Sequence, residues 1–204
     1  LPNDELIEIV HKRCGLAPPH CKIMIEVMKE LQQVRQSSQI FAGKHGFITT
    51  RDLLRWAYRQ PTIEKELAEH GFMLLGERLR RESEKDTVKK ILEKHCKTSL
   101  NIDRMYEEKY EELMKDEKNV VNENKITDDS ISITKALKRL YVLMSACIKS
   151  KEPVLLVGNT GCGKTTVCQL LSRTTGIPLT ILNCHQHTET ADMVGGLRPV
   201  RNKE

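Results

Sequence analysis

At 204 residues, with 39% hydrophobic and 30% charged side chains and a formal net charge of +5, the chain can bury one large or two small cores. Aromatic content of 4% weighs against base-stacking platforms, and no compact Lys/Arg run gathers the charge into a patch. Seven cysteines without a CxxC pair read as reduced thiols of a cytosolic or nuclear protein, not as a disulfide framework.

The first stretch, 1–95, reads as helical. Asn3 is placed to cap a short helix carrying Leu6, Ile7 and Val10, with Gly15 at its C-terminal cap. Pro18 and Pro19 open a second helix, whose Met24, Val27, Met28, Leu31 and Val34 follow helical spacing. Gly43 and Gly46 bracket a turn. A third helix begins after Thr50, turns Leu53, Leu54 and Ala57 to one side, and stops before Pro61. Residues 64–81 and 85–95 read as further helices. Residues 96–130 are rich in Glu, Lys, Asp and Asn and read as a partly helical charged connector, flexible near 116–129.

From 131 the pattern changes. Leu137, Leu140, Met144 and Ile148 share a helix face. Val154 to Val157 is a short apolar run suited to a buried parallel strand and far too short for a membrane span. A helix from about Lys164 to Thr175 follows, with Val167, Leu170 and Leu171 inward. Residues 178–184 then read as a second strand, completing a βαβ unit.

Between that first strand and its helix lie Gly158, Asn159, Thr160, Gly161, Cys162, Gly163, Lys164 and Thr165, the spacing G-x-x-x-x-G-K-[ST]. Glycines let backbone N–H groups turn toward phosphate oxygens without Cβ interference. The following helix aims its positive end at the same anion. Lys164 would reach the β- and γ-phosphates of ATP, and the Thr165 hydroxyl would ligate Mg²⁺, with Thr166 closing the binding segment. Hydrolysis also needs an acid at the end of an apolar strand. After the loop only Glu189, Asp192 and Glu204 are acidic, and none follows such a strand. The chain also begins at Leu1. Together these features lead us to expect a fragment without ATPase activity of its own.

Two stretches carry a family resemblance. PVLLVGNTGCGKTTVCQLLS with LNCHQHTETADMVGGLRPVR is similar to an AAA+ module of the midasin family, dynein-related ATPases of ribosome assembly. GKHGFITTRDLLRWAYR, followed by LAEHGFMLLGERLR, resembles the helical lid of such a module. The resemblance implies an all-α lid of one module over 1–95, a charged connector over 96–130, and the N-terminal part of the next module's α/β P-loop NTPase core over 131–204. It implies that Arg51 is a sensor for the ATP of the preceding module. It further implies, as partners, neighbouring AAA+ modules of one ring, pre-60S ribosomal particles and their assembly factors. The expected location is the nucleus, in nucleolus and nucleoplasm, with the cytoplasm as a second compartment, and no membrane. A nucleotide-holding structural module that never hydrolyses, and an unrelated P-loop NTPase, are the alternatives.

Other features have plainer readings. Cys184, His185 and His187 lack a second ligand pair and read as a polar loop; His11, Cys14, His20 and Cys21 read as helix-surface and core residues. Trp56, beside Leu53 at helical spacing, reads as core.

Overall fold

The computed structural model describes residues 2–37, 48–118 and 132–195. The expected turn at Gly43 and Gly46 lies outside them, as do 119–131, which include most of the segment expected to be flexible. Helix α1 runs Asn3–Cys14 and α2 runs Pro18–Ser37. Pro2, not Asn3, holds the N-cap of α1, while Gly15 ends it at φ 69°, in the left-handed region a C-terminal cap requires. Helix α3, Thr50–Tyr58, starts from a capping box. The Thr49 N–H donates to Asp52 Oδ2 at 2.8 Å, which ties down a backbone group the helix leaves unpaired.

The helix expected over 64–81 divides. Helix α4, Glu64–Gly71, passes into a π-helical turn, Phe72–Gly76, and the chain leaves the helix at Glu77. Gly71 lies against the Trp56 ring and Gly76 against the Phe72 ring, so both glycines permit close packing. Helix α5 runs Glu82–Cys96, starting earlier than its apolar pattern indicated. Trp56 is fully buried, and its Nε1 donates to the Leu67 carbonyl at 3.0 Å. It packs in one core with Met24, Leu31, Leu53, Leu75 and Leu92.

Helix α6, Ile102–Lys118, occupies much of the charged segment. Its Met105, Tyr106 and Tyr110 are buried, and the two tyrosines meet residues of α7, Lys135–Lys149. Tyr110 meets Tyr141 edge to face, with ring centroids 5.4 Å apart. Tyr141 in turn shares a 2.7 Å hydrogen bond with Thr174 of α8, Lys164–Thr175. A short α9, Thr190–Val194, follows.

The structure differs from the sequence reading at the α/β core. Among the described residues there is no strand. Leu155 and Val157 are 87% and 77% exposed, and Ile181 is 59% exposed, where buried parallel strands were expected. A parallel strand must exchange hydrogen bonds with a neighbour and bury both faces. Segments 154–157 and 178–184 do not pair with each other, so neither acquires a ladder within the described residues.

Candidate phosphate-binding loop

The loop is positioned from behind by apolar packing. Val167, Leu170 and Leu171 anchor α8 in the core beside Tyr141 and Val142 of α7, and this fixes where the N-terminus of α8 points. Gly163 caps α8 at φ 84°, and Gly161 sits at φ 82°. A Cβ resists that backbone region, and alternation into it turns successive N–H groups toward one side, forming an anion nest. Gly158 is constrained differently: a Cβ there would stand 3.0 Å from Cys162 Sγ.

Lys164 folds back over this loop. Its Nζ donates to the carbonyls of Gly158 at 2.9 Å and Asn159 at 2.7 Å, and approaches Cys162 Sγ at 3.6 Å. The ammonium therefore already lies at the loop, held by carbonyls that a phosphate oxygen could replace. Asn159, Thr160, Gly161, Cys162 and Thr165 are exposed, and Thr166 is half-buried. The Thr165 hydroxyl stands on the first turn of α8, open to a ligand or a metal beside the loop.

A groove of about 580 Å³ runs beside the loop, lined by Thr134, Leu137, Gly161, Gly163, Thr166 and Arg173. Sequence reasoning took Leu137 only for a core residue and passed over Thr134. The signal was a Ser/Thr cap three residues ahead of an apolar helix face: Thr134 Oγ1 accepts from the Leu137 N–H at 3.2 Å. That cap sets the start of α7 against the loop, where a Cβ on Gly163 would lie 3.6 Å from Leu137 Cδ1.

The remaining candidates fall elsewhere. Arg51 is exposed on the first turn of α3, beside Asp52, whose carboxylate is held by Arg78 and Thr49. Glu189 and Asp192 form the capping box of α9, with the Glu189 N–H donating to Asp192 Oδ2 at 3.0 Å. In the 184–188 loop, His185 N–H donates to Thr188 Oγ1 at 2.7 Å and His187 N–H to His185 Nδ1 at 3.2 Å. Among the described residues no group of three His, Cys, Asp or Glu side chains is placed to hold a metal. None of the helices described is long and apolar enough to cross a membrane.

Comparison with known proteins agrees with both halves of this picture. Residues 5–99 match the Midasin AAA lid domain, and residues 153–204 match the AAA domain of the dynein-related subfamily. The chain is 50% identical over 211 residues to Midasin of Dictyostelium discoideum, covering 100% of this chain and 4% of that protein. It is 31% identical over 220 residues to Midasin of Giardia intestinalis, covering 100% of this chain and 5% of that protein. It thus spans a small part of the length of the relatives it matches. A helical lid packed on Trp56, a glycine-rich nest at the head of α8 and these two matches lead to one assignment: the chain belongs to the midasin family of AAA+ proteins.

Proposed function

We propose that the chain is the ATP-binding portion of a mechanochemical AAA+ ATPase that remodels pre-60S ribosomal particles in the nucleus and releases assembly factors from them. The observation that carries the reading is the nest at Gly161 and Gly163 on the N-terminus of α8, with Lys164 already poised over it. Residues 1–95 then serve as the lid of one module and 131–204 as the start of the next core, with 96–130 between them. Gly158, Asn159, Thr160, Gly161, Cys162, Gly163, Lys164, Thr165 and Thr166 line the ATP phosphates.

In this reading the loop N–H groups and Lys164 bind the polyphosphate, and the Thr165 hydroxyl holds Mg²⁺, which neutralises charge on the β- and γ-phosphates. The exchange of the Gly158 and Asn159 carbonyls for phosphate oxygens at Nζ replaces neutral acceptors with anionic ones, which make the stronger hydrogen bonds. Arg51 belongs to the nucleotide of the preceding module, so two ATP sites draw residues from this one chain. A nucleotide-holding structural role is the second reading. It is favoured by Glu189 and Asp192 being engaged in the cap of α9, where they are not disposed to polarise water.

The test is Lys164→Ala in the longer protein that carries this segment. Pre-60S particles isolated from cells with that variant should accumulate assembly factors that the unmodified protein releases. Particles of unchanged composition, with the variant present at normal level, would overturn the remodelling role.

A further inference from the structure

Arg51 and Arg55 of α3, and Arg80 and Arg81 just ahead of α5, make no ion pair among the described residues. The fold joins the two segments that carry them. Asp52 Oδ1 accepts from Arg78 Nη2, while Oδ2 accepts from the Thr49 N–H at 2.8 Å and the Thr49 hydroxyl at 3.0 Å. Residues 49–55 and 77–82 together hold five arginines and three carboxylates. Each of those carboxylates already has a cation: Asp52 has Arg78, Glu77 has Arg139 and Glu82 has Lys85. Arg51 and Arg55 also stand four residues apart on one helix, a spacing at which like charges repel. Charge that the sequence spreads over two segments is thus gathered by the fold into a surplus of guanidinium groups at the start of α3.

Arg78 is the member of this group whose direction is fixed. The turn that carries it is pinned on both sides. Glu77 accepts from the Tyr106 hydroxyl at 2.7 Å and from Arg139, and Leu79 is buried, with its N–H donating to the Gly76 carbonyl at 3.0 Å. Burial pushes the Asp52 carboxyl up, but the Arg78 guanidinium and Thr49 outweigh it and hold the carboxyl below its ordinary value, so the pair stays ionised. The Arg78 side chain is nonetheless 35% exposed, and only its Nη2 is hydrogen-bonded among the described residues. A guanidinium gripped at one end presents the rest of its fork in a set direction, as bidentate binding of phosphate requires. Arg51 is exposed on the first turn of α3, next in sequence to the carboxylate that holds Arg78.

A surplus of arginines suits phosphate oxygens, whether of a nucleotide or of RNA. A single-stranded RNA site adds aromatic platforms to its cations, and neither segment contains an aromatic residue. We propose that Arg78 is a second phosphate-binding residue for the ATP of the preceding module, presented beside Arg51 and oriented by Asp52. This rests on the reading of Arg51 as the sensor of that site. Arg78 is also next to Glu77, which grips both α6 and α7, so contact with that ATP is made one residue from the joint to the following core.

The test is hydrogen exchange of the longer protein that carries this segment and the preceding module, read at residues 49–55 and 76–82 as Mg·ATP is added. Lys164→Ala is present throughout, to weaken the glycine-rich loop of this chain as a second source of change. Protection of both segments should rise and saturate. Arg51→Ala and Arg78→Ala should each raise the half-saturating ATP concentration by about tenfold, the loss expected for a charged hydrogen bond. Arg78→Lys keeps a cation for Asp52 without the fork and should raise it by less. Protection of α1 and α2 without ATP should be unchanged, which separates lost binding from lost folding; if the alanine chain loses that protection, Arg78→Lys carries the comparison. A shift with Arg51→Ala and none at Arg78 would overturn this inference and leave the Arg51 reading standing. No shift with either, or no ATP-dependent protection, would overturn both. Protection of the same segments by a single-stranded oligouridylate and not by Mg·ATP would also overturn the inference and assign these arginines to RNA.

Discussion

A methyl group at Gly71 would overlap Trp56 Cζ2 and stand 2.9 Å from Leu92 Cδ2. An indole ring in a filled core cannot yield as the end of a flexible chain does. Gly71→Ala therefore should destabilise the chain by about 1–3 kcal/mol in urea denaturation, despite the ~1 kcal/mol that alanine gains in helix propensity. A net stabilisation would show that the Trp56 packing is looser than described. His70, nearby in α4, has a different sensitivity. Burial, then Lys109 and Arg59, push its imidazole down to about 4. The unfolded chain takes up that proton near pH 6.5 and the folded chain does not. Stability should therefore decline as pH falls from about 6.5 to 4, by up to roughly 3 kcal/mol from this group, and be insensitive to it above and below. His70→Gln should flatten that window in denaturant midpoints measured at pH 7.5 and 4.5; an undiminished slope would show that His70 titrates freely.

Among the elements, those with local signals were legible and those needing partners were not. Gly15 and Gly176 end α1 and α8 in left-handed conformations, as glycines after an apolar-periodic run suggest. The Trp56 core and the inward face of α8 followed from 3.6-residue spacing. Helix α6 was only half visible, because its acids and lysines hide a set of Met105, Tyr106, Tyr110, Leu113 and Met114 that joins the core. The π-helical turn had no propensity signal; it reflects the fit of Phe72 and Gly76, a tertiary effect. Strands failed for a related reason. An apolar run such as Val154 to Val157 states a preference for burial, but only a neighbouring strand can realise it.

The joint between α3 and the segment after α7 depends on one nearly buried ion pair. Arg59 and Glu152 side chains are 5% and 14% exposed and 2.8 Å apart. Removing one partner leaves the other charge buried, a loss of about 3 kcal/mol or more in comparable settings. Glu152→Gln should accordingly lower stability by an amount of that order. It should also raise hydrogen exchange at the end of α3 and around Glu152 while leaving α1 and α2 protected. Uniform exchange across all helices would contradict a local latch.

Across the whole molecule, contacts pass in sequence from lid to loop. The lid reaches α6 through Lys109–Glu69, α7 through Arg139–Glu77 and the segment after α7 through Arg59–Glu152, and α7 reaches α8 through Tyr141 and Thr174. Glu77 is the branch point, accepting from Tyr106 of α6 and Arg139 of α7 together. The lid is therefore not a free appendage of the glycine-rich loop, and the loop's N–H groups are oriented by packing that begins in another unit. The most direct measurement is calorimetric titration of Mg·ATP into the longer protein carrying this segment, with and without Lys164→Ala. Loss of an ammonium held at the phosphates should weaken binding by at least tenfold, corresponding to about 1.5–3 kcal/mol for a charged hydrogen bond. Equal ATP affinity in the two proteins would contradict the assignment of Gly158 to Thr166 as the phosphate-binding loop.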